Sequence, residues 1–168
     1  MIRPVLLRVL ALASLLAVAA ACARGTADKF DPARDAEADV AAAVSTAESQ
    51  GKRVLVDVGG EWCSWCHIMD DFFARDTEAR ALRDRGFVWV KVNWSKENRN
   101  ERLLSRWPKI RGYPHLFVLG PDGALLHSQD TGMLEAGKGY DREKFVAFLR
   151  RWSPAKAGRT APEKAGSV

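Results

Sequence analysis

The apolar run at the start of this chain is too short to cross a bilayer. Val9 to Ala21 spans about 13 residues, against the roughly 20 that a membrane helix needs. The chain also lacks a basic stripe. Its formal charge is +5, and without Arg3 and Arg8 it keeps 24 basic against 21 acidic residues, or +3, interspersed along the chain. That pattern is a mixed solvated surface and argues against a nucleic-acid partner. No internal repeat is present. Metal-ligating side chains are few, with three cysteines and three histidines. A closed structural zinc site takes four protein ligands. Only Cys63, Cys66 and His67 cluster, and adjacent ligands on one helix point apart, so no metal is expected.

What is present at the N-terminus reads as an export signal. Arg3 and Arg8 form a basic start, the apolar run follows, and Ala19-Ala20-Ala21-Cys22 offers a small-residue cleavage site. Residues 1–21 are therefore expected to be a signal peptide. Cys22 stands where a bacterial lipobox places its lipidated cysteine, although Ala19 occupies the usual leucine position. Cleavage near Ala21 or Ala23, or an uncleaved anchor, are the alternatives. Each places the mature chain outside the cytoplasm, in the periplasm or on a lipid anchor facing it. Disulfides persist in such compartments.

The 168 residues suit one domain with extensions, and 47% apolar residues suffice for an ordinary core. Residues 22–34 read as a tether, 35–152 as the folded domain, and 153–168, rich in Pro, Ala, Lys and Gly, as a disordered tail. Within the domain, Asp35 to Gln50 carries Val40, Val44 and Ala47 at helical spacing and ends at Gly51. Arg53 to Val58 reads as a buried strand. Cys63 to Ala74 and Thr77 to Arg85 read as helices, and Phe87 to Asn93 as a second strand. Asn98 to Trp107 is expected to be a polar helix stopped by Pro108. His115 to Leu119 and Ala124 to Ser128 form a hairpin around Pro121-Asp122-Gly123. Asp141 caps a last helix through Trp152. The order predicts an α/β fold, a mixed central sheet made of a βαβ unit plus a hairpin and flanked by helices.

Trp62-Cys63-Ser64-Trp65-Cys66-His67 carries the chemistry. Cysteines at this spacing share one helical turn. They can cycle between dithiol and disulfide, hold a metal, or, with His67, take a covalent c-type haem. The setting favours disulfide exchange, because the motif follows a strand and opens a helix. Cys63 would sit at the helix N-terminus, where free N–H groups and the dipole stabilise a thiolate. Lowering a thiol pKa from about 8.5 to about 7 favours the anion by roughly 2 kcal/mol. Cys66, one turn on, would be the resolving thiol.

Val54-Leu55-Val56-Asp57, Glu61-Trp62-Cys63 and Cys66 resemble the active-site strand and helix of the thioredoxin family. Asp57 lies where thioredoxins place a buried carboxylate, Lys91 matches their partner lysine, and Ile110-Arg111-Gly112-Tyr113-Pro114 resembles their cis-proline loop. The likeness covers about residues 53–152. The Trp-Cys-x-Trp-Cys-His form looks most like extracytoplasmic, thioredoxin-7-type relatives, thiol–disulfide interchange proteins. This resemblance implies a thioredoxin fold with Cys63 as nucleophile and Cys66 as resolving cysteine. It also implies that Asp57 is the buried proton acceptor, balanced by Lys91, and that Pro114 is cis beside the disulfide. Tyr113 would offer its backbone to an extended substrate segment, and Trp62 and Trp65 would contact it. A desolvated Asp57 would have a raised pKa, as suits a general base near neutrality.

The expected activity is reduction or isomerisation of protein disulfides by an exported oxidoreductase. Its cofactor would be no more than its own Cys63–Cys66 disulfide. The partners would be thiol- or disulfide-containing proteins and a membrane or soluble thiol donor. A c-type haem protein and a non-catalytic binding module of the same fold are the competing readings. His67 and His115 read as neighbours of the site or as surface residues. His127 reads as hairpin surface, and Trp89, Trp94, Trp107 and Trp152 as core or cap residues. Ser64-Trp65 differs from the Gly-Pro of reducing thioredoxins and the Pro-His of strong oxidants. Gln129 to Gly139 is longer than a minimal fold needs and is expected to be a loop near the active face.

Overall fold

The computed structural model describes residues 29–155. The expected signal, Cys22, and all but the first residues of the expected C-terminal tail lie outside them. Helix α1, Ala36–Gln50, starts at Asp35, whose carboxylate accepts the Glu37 and Ala38 N–H groups, and stops at Gly51 with φ 62°. Strand β1, Arg53–Gly59, leads to helix α2, Ser64–Arg75, then to helix α3, Thr77–Gly86, and strand β2, Phe87–Asn93. After a short helix α4, Glu101–Leu104, come strands β3, His115–Leu119, and β4, Leu125–Asp130. A 3-10 turn at Thr131–Leu134 and a small hairpin of β5, Glu135–Ala136, and β6, Gly139–Tyr140, precede helix α5, Arg142–Trp152.

The main sheet has the order β2-β1-β3-β4. Strand β1 runs parallel to β2 and antiparallel to β3, and β3 runs antiparallel to β4. This is the mixed sheet the element order implied. Strand side chains alternate between faces, and the core divides accordingly. Val54, Val56 and Val58 pack with Val88, Val90, Val92, Phe117 and Leu119 against α1. Leu55 packs on the other face with Met69, Phe73, Ala79, Phe145 and Leu149, from α2, α3 and α5. Asp57 and Gly59 share the Leu55 face, so the cysteine-bearing helix lies across them.

One helix falls short of its expectation. The stretch 98–107 holds only the four residues of α4. Its start is occupied by side chains working on distant backbone. Asn98 donates to the Pro32 carbonyl at 2.9 Å and Asn100 to the Asn93 carbonyl at 2.7 Å. Asn100 takes the left-handed conformation, φ 48°. Short polar side chains that bond in this way compete with helix. The stretch 129–139 also differs from a plain loop, since β4 runs on to Asp130 and the 3-10 turn and small hairpin follow.

Candidate active site

Cys63 and Cys66 form a disulfide, with Cα atoms 5.2 Å apart. Cys63 is the N-cap of α2, and its Sγ accepts the Cys66 N–H at 3.1 Å. The sulfur thus lies where a helix presents unpaired N–H groups, the placement that favours a thiolate once the pair is reduced. Cys66 is fully buried and Cys63 nearly so. Close packing here depends on Gly59. A Cβ at that position would lie 2.4 Å from Cys66 Sγ and 3.0 Å from Phe30 Cζ.

Two residues before Gly59 on β1, Asp57 stands opposite Lys91 in the β1–β2 register. Lys91 Nζ lies 3.3 Å from Asp57 Oδ2 and 2.7 Å from Oδ1 of Asp70, a residue of α2. Asp57 is wholly buried, and its Oδ1 has no hydrogen-bond partner in the described chain. Burial pushes the Asp57 carboxyl up to about 6, although Lys91 pulls the other way. Desolvation, the largest influence on this group, disfavours its charged form.

The exposed rim is aromatic. Trp62 is 55% exposed, and its indole N–H donates to the Trp94 carbonyl at 2.8 Å. Its ring meets Trp94 and Tyr113 edge-on, with centroids 6.0 and 5.6 Å away. Trp94 and Tyr113 stack at 4.9 Å. Trp94, read from sequence as a core or cap residue, is thus a wall of the site. Trp65 is half-buried and meets Tyr140 of β6 edge-on at 5.6 Å. The Tyr140 hydroxyl reaches the Trp65 carbonyl at 3.4 Å, which ties the small hairpin to α2. Burial raises the Tyr140 phenol.

The Tyr113–Pro114 peptide bond is cis, and Thr131 Oγ1 donates to the Pro114 carbonyl at 2.5 Å. His67 is exposed, with Nε2 2.8 Å from the Glu61 carbonyl oxygen. His115 is buried, lies 2.8 Å from Ser128 Oγ, and tilts against Phe117. It therefore belongs to the α1 face, and burial lowers its pKa. His127 stacks on Trp152 at 4.4 Å, away from the disulfide. Among the described residues no group of three or more His, Cys, Asp or Glu is placed to hold a metal.

Besides Trp94, Thr131 and Phe30 escaped the sequence reading. Thr131 sits in a stretch whose only sequence signal was its length. Phe30 lies in the stretch read as a tether, yet it is 3% exposed and packs with Cys63 and Cys66. Its isolated aromatic side chain in a polar segment was the one available signal.

The thioredoxin-like family model (Thioredoxin_7) matches residues 35–121. A thiol:disulfide interchange protein DsbD from Pseudomonas fluorescens is 33% identical over 124 residues, covering 73% of this chain and 19% of that protein. A protein of the same name from Pseudomonas sp. is 32% identical over 66% of this chain and 18% of its own length. The chain thus spans about a fifth of the length of these relatives. Among solved structures, a disulphide isomerase from Xylella fastidiosa superposes with a TM-score of 0.63 at 24% identity, covering 73% of this chain and 94% of that one. The C-terminal domain of Neisseria meningitidis DsbD, in its oxidised form, superposes with a TM-score of 0.50 at 22% identity, covering 70% and 96%. These two share the fold. With more than half of its residues matched by the family model and a relative 33% identical over 73% of its length, the chain belongs to the thioredoxin-like family.

Proposed function

We propose that this protein is an exported thiol–disulfide oxidoreductase that reduces or isomerises disulfides in other proteins. One observation carries the reading. The Cys63–Cys66 disulfide caps helix α2 and packs against Gly59, two residues along β1 from a buried, paired carboxylate, Asp57. In the reduced enzyme the Cys63 thiolate attacks a substrate disulfide, forming a mixed disulfide and releasing one substrate thiolate. Cys66 then attacks Cys63 Sγ, which breaks the mixed bond, frees the second substrate thiolate and forms the Cys63–Cys66 disulfide. Asp57 takes the Cys66 proton before that attack. A carboxyl titrating near 6 is half-matched to neutral pH, as a general base should be. A thiol donor, in a membrane or in solution, resets the pair.

The aromatic rim of Trp62, Trp94 and Tyr113 offers an apolar platform beside the sulfurs for the partner protein. Backbone groups at Tyr113 and Pro114 accept its extended segment, and Trp65 adds to the surface. Residues 1–21 direct export, and Cys22 is the point at which a lipid would hold the chain at the membrane. No described helix is long and apolar enough to cross a bilayer.

Insulin-disulfide reduction by the wild type and by Cys63→Ser tests the activity. Loss of turnover in the variant is expected. Equal activity would sink the catalytic reading and leave a binding module. The reduction potential against glutathione tests the direction, and a value near −120 mV, the strong-oxidant end of the scale, would overturn the reductive assignment.

A further inference from the structure

Residues 30–34 form a strap across the disulfide end of the sheet, ahead of α1. Three contacts hold it. The Phe30 N–H donates to Glu61 Oε1 at 3.2 Å, the Pro32 carbonyl accepts from the Asn98 side chain at 2.9 Å, and Arg34 pairs with Asp39 at 2.5 Å. The strap delivers the Phe30 ring to the inner side of the cysteine pair. That ring packs with Cys63 and Cys66 and lies against the Gly59 backbone. Its face covers the Lys91 ammonium, with Nζ 4.1 Å from the ring centroid. One apolar side chain thus touches the resolving sulfur's pocket and the cation that balances Asp57.

We infer that Phe30 is a positioning residue of the dithiol site: its ring is the wall that closes the Cys66 sulfur and the Asp57–Lys91 pair off from water. The proposal rests on the oxidoreductase reading and deepens it. A dry pocket keeps the Asp57 proton affinity high and leaves Cys63 as the more accessible sulfur, so that Cys66 meets the mixed disulfide before it meets solvent or a second thiol. The cation–π contact adds to the wall by holding Lys91 under the ring.

The test uses the full chain in a Cys63→Ser background, with iodoacetamide alkylation followed peptide by peptide so that Cys22 and Cys66 are read separately. Phe30→Ala is expected to raise the Cys66 alkylation rate about tenfold at neutral pH, as local exposure would. Phe30→Leu, which restores an apolar wall without the ring face, should stay within about twofold of the parent. The pH profile of Cys66 alkylation should also move in the alanine variant. The charged and titratable groups acting on Asp57 there are Lys91, Asp70, Arg83 and Tyr140, and none of them is altered. Unchanged Cys66 protection in a folded Phe30→Ala protein would overturn the proposal, as would equal exposure in the alanine and leucine variants. If Phe30→Ala does not fold, Glu61→Ala, which releases the strap's N–H, decides. Faster Cys66 alkylation supports the wall and no change refutes it. Because alkylation needs no turnover, this result is independent of whether wild-type protein reduces insulin.

Discussion

The two ends of strand β1 are equally buried and built for opposite purposes. Val54, Leu55 and Val56 at one end and Asp57 at the other are all 0% exposed. The first three bury aliphatic carbon against aliphatic carbon, which stabilises the fold through apolar area removed from water. The last buries a carboxylate, which costs stability whenever it is ionised. Gly59, two residues on, supplies no side chain at all, and the space it leaves is filled by Cys66 and Phe30. One end of the strand holds the fold together. The other spends some of that stability on a site.

Filling the gap at Gly59 should produce the largest effect. Gly59→Ala places a methyl 2.4 Å from Cys66 Sγ, and overpacking of this kind costs about 3 kcal/mol. The matching change at the other end, Val56→Ala, should cost about 2 kcal/mol through lost packing. Denaturant unfolding checks both. The comparison turns on a second readout. Gly59→Ala should also alter the reduction potential, while Val56→Ala should leave it unchanged. Equal potentials in all three proteins would remove the distinction between the two ends.

The carboxylate predicts a stability that depends on pH in a defined direction. Folding raises the Asp57 pKa from 3.8 to about 6. The folded state therefore binds the proton more tightly, and stability falls as pH rises from about 4 to about 6. Above that window the whole penalty is present. Asp57→Asn removes it at the cost of one Lys91 partner, and Asp70 at 2.7 Å remains. The variant should be more stable than wild type at pH 8, by on the order of 2 kcal/mol, and the gap should close toward pH 4. Thermal unfolding across that range measures it. Disulfide reduction by the same variant should fall and lose its pH dependence near 6. A variant less stable than wild type at every pH would show that the charge is better paired than the single Lys91 contact suggests.

How much of this was legible beforehand follows from what each feature depends on. The cysteine spacing was legible from the residues themselves, whereas the Asp57 and Lys91 pairing came from the family resemblance; the strand register that brings them opposite each other is a property of the fold. Helix α1 was legible because Asp35 and Gly51 punctuate it locally. The stretch 98–107 was misread because Asn98 and Asn100 bond to backbone that is distant in the chain, at Pro32, or across a turn, at Asn93. Local propensity does not contain such contacts. Phe30 and Trp94 were missed as site residues for the same reason. Their roles arise from packing onto α2 and the Tyr113 loop, and a lone aromatic in a polar stretch carries no periodicity.

Thr131 gives a smaller, cleaner version of the contrast between fold and site. Its hydroxyl bonds the Pro114 carbonyl in a buried position. Thr131→Val keeps the shape and leaves that carbonyl unpaired, at a cost of about 1 kcal/mol. If the bond positions the Pro114 loop for a partner, the loss should also appear as a raised KM for a protein disulfide with little change toward a small one. If it serves the fold alone, only stability moves.

His67 defines the lower limit. It lies beside Cys66 in sequence, which is why the hexapeptide admitted a haem reading, but its ring is exposed and bonded to the Glu61 carbonyl. A single exposed hydrogen bond contributes at most about 0.5 kcal/mol. His67→Ala should therefore shift stability by no more than that and leave insulin reduction within about twofold of wild type. Its bond spans the loop that carries Trp62 and Cys63, so any larger effect would show that the loop's geometry depends on this one contact. Sequence adjacency to a reactive cysteine would then count for more than burial beside it. The geometry argues the other way: Phe30, more than thirty residues distant, is sealed against both sulfurs, while the immediate neighbour His67 turns outward.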